Sequence, residues 1–187
     1  GLDERVHYRG RTYELSTIRW ADGALAPAGH LTIEGFRLEG SVPVWRFRLG
    51  DALIERRVWM VHGRNETRVS FTVVWAAEPI LLTVKVFAAR RNHHGTTHGH
   101  PGLSVSTERG RLLVDALHVE AAEGTRLGSW TILDQVYDRC RLAKESYRGL
   151  GDTEDLYAAA ETTLAIEPGS SATLRLVSEP DRLAGSS

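Results

Sequence analysis

Apolar residues alternate with polar ones along most of this chain, and that period of two limits the fold more than any other feature. In ETRVSFTVVWA, residues 66–76, the alternation places Val69, Phe71, Val73 and Trp75 on one face. The stretches VPVWRFRLG, ILLTVKVFA and SATLRLVSE show the same spacing. Alternation over segments of this length is typical of antiparallel strands that bury one face and expose the other.

Turn-forming residues separate these stretches at 21–23, 49–51, 62–65 and 108–110. Strands that are joined by short turns favour a β-sandwich over a parallel α/β fold. The inward side chains predicted for the other three stretches are Trp45, Phe47, Leu49, Leu82, Val84, Val86, Leu174 and Leu176. We therefore expect one all-β domain over residues 1–187, an antiparallel β-sandwich with at most one short helix.

One segment departs from the alternation. Residues 134–149, DQVYDRCRLAKESYRG, place a valine, two tyrosines and a cysteine near one helical face. Asp134 suits the N-cap and Gly149 suits the position after the last helical turn. These signals predict a helix, with an irregular connection between strands as the alternative. The following GDTEDLYAAAE is interpreted as a solvated acidic turn that leads into another strand.

Charge and residue counts argue against several classes of protein. The 23 Lys and Arg and 24 Asp and Glu residues give a formal net charge of −1, so we expect no nucleic-acid partner. The single cysteine, Cys140, allows neither an intrachain disulfide nor a cysteine-based zinc site. No apolar run approaches the roughly 18 residues of a transmembrane helix, so we expect no membrane contact. We expect no cofactor, since the sequence has no glycine-rich phosphate loop.

Four of the eight histidines lie within ARRNHHGTTHGHP, residues 89–101. A metal site there would use His94, His98 and His100, because imidazole is a common ligand for zinc, copper and nickel. We do not predict a native metal site, because adjacent His93 and His94 point to opposite sides of an extended backbone and the stretch has no carboxylate. A solvated loop is one alternative. A sugar-binding loop, in which planar donors contact hydroxyl groups, is the other.

The sequence offers no convincing catalytic set. A glycosidase needs two opposed carboxyl groups, whereas Asp152, Glu154 and Asp155 lie in one predicted turn that fixes no such pair. The nucleophile motif Gly-x-Ser-x-Gly is absent. The flat faces of tryptophan side chains could support sugar rings, and the candidates are Trp45, Trp59, Trp75 and Trp130. For Trp45 and Trp75, packing in the core is favoured instead.

Three separate runs match one family pattern. The first, within residues 35–71, consists of Phe36, Pro43, Trp45, Glu55–Met60, Gly63, Asn65, Thr67 and Val69. The second is Arg91, Asn92 and His94, and the third is Glu145, Arg148, Gly149, Asp152, Glu154, Asp155 and Leu156. With these runs the chain resembles the N-terminal domain of bacterial and archaeal glycogen debranching enzymes of the amylo-α-1,6-glucosidase type. It departs from the pattern at Arg90, Asn92, Arg139 and Ala158–Ala160.

The resemblance implies a galactose-mutarotase-like sandwich that packs on a helical (α/α)6 barrel, and that barrel carries the catalytic carboxylates. Since 187 residues are too few for the barrel, we expect a fragment of a larger cytoplasmic glycoside hydrolase, without a catalytic set of its own. The resemblance further implies that the domain shapes the substrate cleft and contacts α-glucan, either glycogen or maltooligosaccharide. The implied substrate-binding residues are Arg91, Asn92, His94, Glu145 and Arg148.

Two other functions stay open. One is a purely structural module that docks on the barrel without touching sugar, and an exposed apolar patch away from His94 would favour it. The other is a stand-alone epimerase that uses His94 as its base and a glutamate as its acid.

Overall fold

Strands dominate the computed structural model, which describes residues 1–91 and 95–178. They hold 62% of the described residues and helices hold 5%, which confirms the all-β class with a single short α-helix in this part of the chain. In chain order the strands are β1 (Leu2–Tyr8), β2 (Arg11–Glu14), β3 (Thr17–Arg19), β4 (Leu25–Ala28), β5 (Ile33–Glu39), β6 (Val42–Leu49), β7 (Ala52–Met60), β8 (Glu66–Trp75), β9 (Ile80–Ala88), β10 (Val105–Glu108), β11 (Arg111–Val114), β12 (Leu117–Ala121), β13 (Thr131–Arg141), β14 (Thr153–Ile166) and β15 (Ser171–Ser178). A 3-10 turn spans Gly29–Thr32, and helix α1 spans Ala143–Tyr147. Among the described residues, no helix has the length and apolar character to cross a bilayer.

Two antiparallel sheets face each other. The narrower sheet has five strands in the order β13-β14-β9-β1-β2, and the wider has eight in the order β10-β11-β12-β15-β8-β7-β6-β5. Strands β3 and β4 form a separate hairpin. The chain passes from the narrower to the wider sheet between β9 and β10, so the histidine-rich segment lies at this crossover.

The hydrophobic core lies between the two sheets, on the faces that the alternation predicted. Val69, Phe71 and Val73 of β8 are buried in one cluster with Leu82 and Val84 of β9, which come from the opposite sheet. Burying each such side chain contributes about 1.5–3 kcal/mol to stability. The other predicted core residues that are buried are Phe47, Leu49, Val86 and Leu174, while Trp45 and Leu176 are partly buried against the core.

Trp75 is the exception on β8, since 53% of its surface is exposed and its predicted core position is wrong. The pairing of β7 with β8 shifts register at this point: Ile54 pairs with Val73, whereas Leu53 pairs with Trp75. One extra residue therefore stands on β8 between the two pairs. Because a shift by one residue turns a strand side chain to the opposite face, Trp75 faces away from the core.

The helix predicted over residues 134–149 is wrong in its first half, where β13 continues to Arg141 and pairs with β14. Two irregularities interrupt this pairing, and each places one extra residue on β13. These bulges break the period of two, so the spacing of the apolar residues resembles that of a helix. Asp134, with φ of +51°, lies at the first bulge and does not cap a helix. Gly149, with φ of +70°, follows the end of α1 as predicted.

In the described part of the chain, some strands of the wider sheet have no sheet opposite them, because eight strands face only five. Phe36 and Leu38 of β5 and Met60 of β7 are exposed by 58%, 62% and 71%. The Phe36 ring contacts Trp45 on the same face, with ring centroids 5.3 Å apart. We call these four residues the overhang. They form an apolar surface near the β5 edge.

Arginine–glutamate networks cover the outer face of the wider sheet. Glu55 accepts hydrogen bonds from Arg37 and Arg46, each at 2.8 Å, and Glu66 accepts one from Arg175 at 2.9 Å. Hydrogen bonding by Arg37 is the largest cause that lowers the pKa of Glu55 to about 2. Hydrogen bonding by Arg175 does the same for Glu66, whose pKa is also about 2. Both carboxylates are therefore charged throughout the physiological pH range.

Candidate functional site

Residues 89–104, between β9 and β10, are called the crossover segment, and an arginine–carboxylate pair joins this segment to the start of β14. Arg91 donates from Nε to Oε1 of Glu154 at 2.8 Å and from Nη2 to Oε2 at 3.1 Å. Its Nη1 donates to the carbonyl of Gly95 at 2.7 Å, which joins the two ends of segment 92–94. Glu154 is only 4% exposed, so the predicted solvated turn is wrong here and the carboxylate lies on a buried strand. Paired charge-assisted bonds of this kind fix both distance and orientation.

Asp155 makes a second anchor beside the first. Its Oδ2 accepts the backbone N–H of Gly99 and its Oδ1 accepts that of Arg139, both at 2.7 Å. Its own N–H donates to the carbonyl of Thr97 at 2.8 Å. These two accepted bonds lower the pKa of Asp155. The carboxylate thereby joins the crossover segment to the second bulge of β13, where Arg139 has φ of +60°.

His100 forms a third anchor with Asp134 and Tyr157. His100 Nε2 lies 2.8 Å from Oδ1 of Asp134, and the Tyr157 hydroxyl donates to the same oxygen at 2.7 Å. The backbone N–H of Gly102 donates to Nδ1 of His100 at 3.0 Å, so the proton of the neutral ring is on Nε2. The hydrogen bond from His100 is the first cause that lowers the pKa of Asp134. Burial raises the pKa of Tyr157 to about 12, and the hydroxyl remains a donor.

The last two predicted site residues are Glu145, which lies in helix α1, and Arg148, which directly follows it. Arg148 Nη1 contacts Oε1 of Glu145 at 3.3 Å, and most of the Arg148 side chain is exposed. Asp152 accepts a hydrogen bond from Ser146 of the helix, and this bond is the first cause that lowers its pKa. Among the described residues, the side chains of Glu145 and Arg148 therefore contact each other, and this ion pair does not include Arg91.

The predicted metal candidates are already engaged by other groups where the structure describes them. His98 Nε2 lies 3.2 Å from the Thr96 hydroxyl, and both ring nitrogens of His100 have the partners given above. Within residues 1–91 and 95–178, no group of three or more His, Cys, Asp and Glu side chains could hold a metal ion. Asn92 and His94 lie outside the described residues. Burial raises the pKa of the Cys140 thiol to about 11, which leaves it protonated at neutral pH.

The third anchor is the feature that the sequence interpretation missed. Reading residues 134–149 as a helix placed Asp134 at a helix N-terminus instead of beside His100. The sequence does indicate that Tyr157 lies on a strand, since the apolar run LYAAA follows the acidic turn, but it does not indicate the partners of Tyr157. Asp134 lies 23 positions before Tyr157, and His100, whose ring contacts that of Tyr157, lies still further back, before β10. No local pattern connects such distant segments.

A groove of about 1070 Å³ opens beside the crossover segment, between the ends of the two sheets. Its wall includes Leu2 of β1, Val58 and Met60 of β7 and Leu176 of β15, and Arg90 lies at its rim. A volume of this order is typical of ligand sites. Aliphatic side chains therefore form much of the surface next to Arg91 of the first anchor.

Comparison with known proteins adds one finding to this geometry. A family model described as glycogen debranching enzyme N terminal matches residues 1–173. Among curated proteins, none matches the chain. The family match spans both sheets and all three anchors of the crossover segment.

Proposed function

Because this chain belongs to the family of glycogen debranching enzyme N-terminal domains, we propose that it is the sandwich half of an α-1,6-glucosidase. In this proposal residues 1–187 form one domain, and a helical (α/α)6 barrel of the same polypeptide carries the catalytic carboxylates. The sandwich shapes one wall of the substrate cleft and contacts α-glucan without cleaving it. The substrate class is glycogen or a maltooligosaccharide.

The observation that carries this proposal is the triple anchoring of the crossover segment. Arg91 directly precedes segment 92–94 and Gly95 directly follows it. Arg91 bonds both to Glu154 of β14 and to the carbonyl of Gly95. A loop whose ends are fixed loses less entropy when it binds a ligand than a free loop does. Asn92 and His94 then contact sugar hydroxyls from this segment, and Arg91 both contributes to that contact and positions it.

Glu145 and Arg148 have a more peripheral role in the proposal. Their ion pair lies at the C-terminal end of the five-residue helix α1, and Arg148 is well exposed. An exposed pair of this kind contributes little to stability, so its two charges are available to a partner at low cost. Glu145 and Arg148 contact either glucan or the barrel.

Calorimetric titration of the whole chain with maltoheptaose tests the proposed sugar contact. We expect saturable binding, and we expect His94→Ala to weaken it about tenfold, because the loss of a hydrogen bond costs about 1.4 kcal/mol. His62→Ala is the matched control, since His62 is an exposed histidine in the turn after β7. Equal affinities for the wild type and His94→Ala would show that His94 makes no sugar contact.

The overhang favours a second candidate function, which is docking on the barrel without sugar contact. Phe36, Leu38 and Met60 expose more than half of their surface on one face of the wider sheet. Exposed apolar patches of this kind mark interaction surfaces. If the folded chain gives no heat with maltoheptaose while it remains monodisperse, the docking function is the one supported.

A further inference from the structure

Strand β5 forms one edge of the wider sheet and leaves part of its backbone unpaired. Within the described part of the chain, no strand lies beyond it. Leu38 pairs with Pro43 of β6, and because proline has no N–H, this pair is of the non-hydrogen-bonded kind. Non-hydrogen-bonded pairs alternate with hydrogen-bonded ones, so the pair of Phe36 with Trp45 is of the same kind. The N–H and C=O groups of Phe36 and Leu38 therefore point to the open side of the sheet.

An open strand edge of this kind binds a partner that has a strand edge of its own. An α-helix bonds its N–H and C=O groups internally, so the helices of the proposed barrel cannot pair with β5. Charged side chains on an edge strand usually prevent its pairing with unrelated strands. Because β5 carries Glu34, Arg37 and Glu39, only a strand with a matching order of charges is a suitable partner.

A second copy of β5 has this matching order. Arg37 and Glu39 flank Leu38 and lie on the same face of the strand. When two copies of β5 pair antiparallel with Leu38 opposite Leu38, each Arg37 lies opposite the Glu39 of the other copy. Opposite charges at directly opposed positions stabilise an antiparallel pair. In this register Phe36 lies opposite Gly40 of the second copy, where the missing side chain leaves room for the ring.

The charged side chains of β5 keep the capacity for this contact. Arg37 Nε donates to Oε1 of Glu39 at 3.0 Å. Among the described residues, Oε2 of Glu39 accepts one hydrogen bond, from Arg57 at 3.3 Å. The side chains of Arg37 and Glu39 are 39% and 45% exposed. Since a carboxylate oxygen can accept more than one hydrogen bond, Glu39 can bind an arginine of the second copy as well.

We propose that two copies of this chain associate by antiparallel pairing of their β5 edges about a two-fold axis at Leu38. The two wider sheets then form one continuous sheet. The outward N–H and C=O groups of Leu38 bond to those of its counterpart, and the exposed side chains of Phe36 and Leu38 are partly covered. Because each copy uses the same edge, the assembly closes as a dimer. The association does not depend on the glucan contact proposed for Asn92 and His94.

Cysteine substitution tests the register on the whole chain. The axis places residue 38 opposite itself, at the Cα separation of about 5.5 Å that a hydrogen-bonded pair has and a disulfide tolerates. We expect Leu38→Cys to form a disulfide-linked dimer under mild oxidation, detected by non-reducing electrophoresis. Phe36→Cys is the matched control, because residue 36 lies opposite Gly40 of the second copy, and the buried Cys140 is common to both variants. Equal yields of linked dimer from the two variants, or none from Leu38→Cys, would overturn the proposal.

Sedimentation equilibrium of the unmodified chain measures the affinity. The contact is limited to residues 36–40 of each copy, so we expect a weak dimer with a dissociation constant of about 10–100 µM. Leu38→Lys brings two like charges together at the axis and should weaken the dimer at least about tenfold. Met60→Lys is the control, because Met60 is an exposed aliphatic residue of the overhang that lies on β7, away from the edge. A chain that stays monomeric at millimolar concentration, or a dimer that both lysine variants weaken equally, refutes pairing through β5.

Discussion

Replacement of Asp155 by asparagine tests whether a carboxylate fastens the crossover segment to the sandwich. The carboxylate accepts two backbone N–H groups, from Gly99 and Arg139, each at 2.7 Å. A hydrogen bond to a charged acceptor contributes about 1.5–3 kcal/mol, and asparagine keeps one of the two acceptors. Gly99 and Arg139 are exposed residues, so water can replace the lost bond and the lower value applies. We expect Asp155→Asn to lower the free energy of unfolding by about 1.5 kcal/mol.

Urea denaturation at neutral pH measures this loss, and amide hydrogen exchange at Gly99 and Arg139 locates it. Because the pKa of Asp155 is lower in the folded state than its ordinary 3.8, its contribution is complete above that value and is lost as the pH falls below it. The difference between variant and wild type should therefore shrink in acid. Asp138→Asn, at an exposed position of the same strand β13, is the control. A loss under about 0.5 kcal/mol with unchanged exchange would refute the anchoring role.

Three further predictions concern stability. Glu66→Gln should flatten the acid branch of the stability curve in urea titrations at a series of pH values. The reason is that Arg175 holds the pKa of Glu66 at about 2, so its contribution is present above the ordinary 4.5 and is lost as the pH falls towards 2. Phe71→Ala should lower the free energy of unfolding by about 3–5 kcal/mol, measured by urea denaturation, because Phe71 is fully buried between the sheets. Tyr157→Phe should cost about 1 kcal/mol and raise the pKa of Asp134, which an NMR pH titration detects.

The alternation of apolar residues was sufficient to predict the class of fold and most of the core. It succeeds for Val69, Phe71 and Val73, because a regular strand turns every second side chain to the same face. It fails at Trp75, where one extra residue on β8 reverses the face. The helix interpretation of 134–149 fails for the same physical reason, since two bulges change the local period. A bulge is created by the pairing of two strands, and one strand's sequence does not specify it.

The sequence alone predicted less of the candidate site than of the fold. The family resemblance drew attention to Arg91, Glu154 and Asp155, but not to the bonds between them. The Arg91–Glu154 pair joins residues 63 positions apart, and its geometry depends on the crossover between the sheets. Glu154 is buried, although the acidic residues around it in the sequence suggest a solvated turn. Such partners become visible only when the sheet order is known.

The bonds of Arg91, Gly99 and His100 have a consequence for how the crossover segment responds to changes elsewhere. Their carboxylate partners are Glu154 and Asp155 of β14 and Asp134 of β13. The described part of the crossover segment is therefore fixed to the edge of the narrower sheet. A substitution that weakens the pairing of β13 with β14 should raise amide exchange in the crossover segment as well, so strand pairing and loop order are coupled at this end of the sandwich.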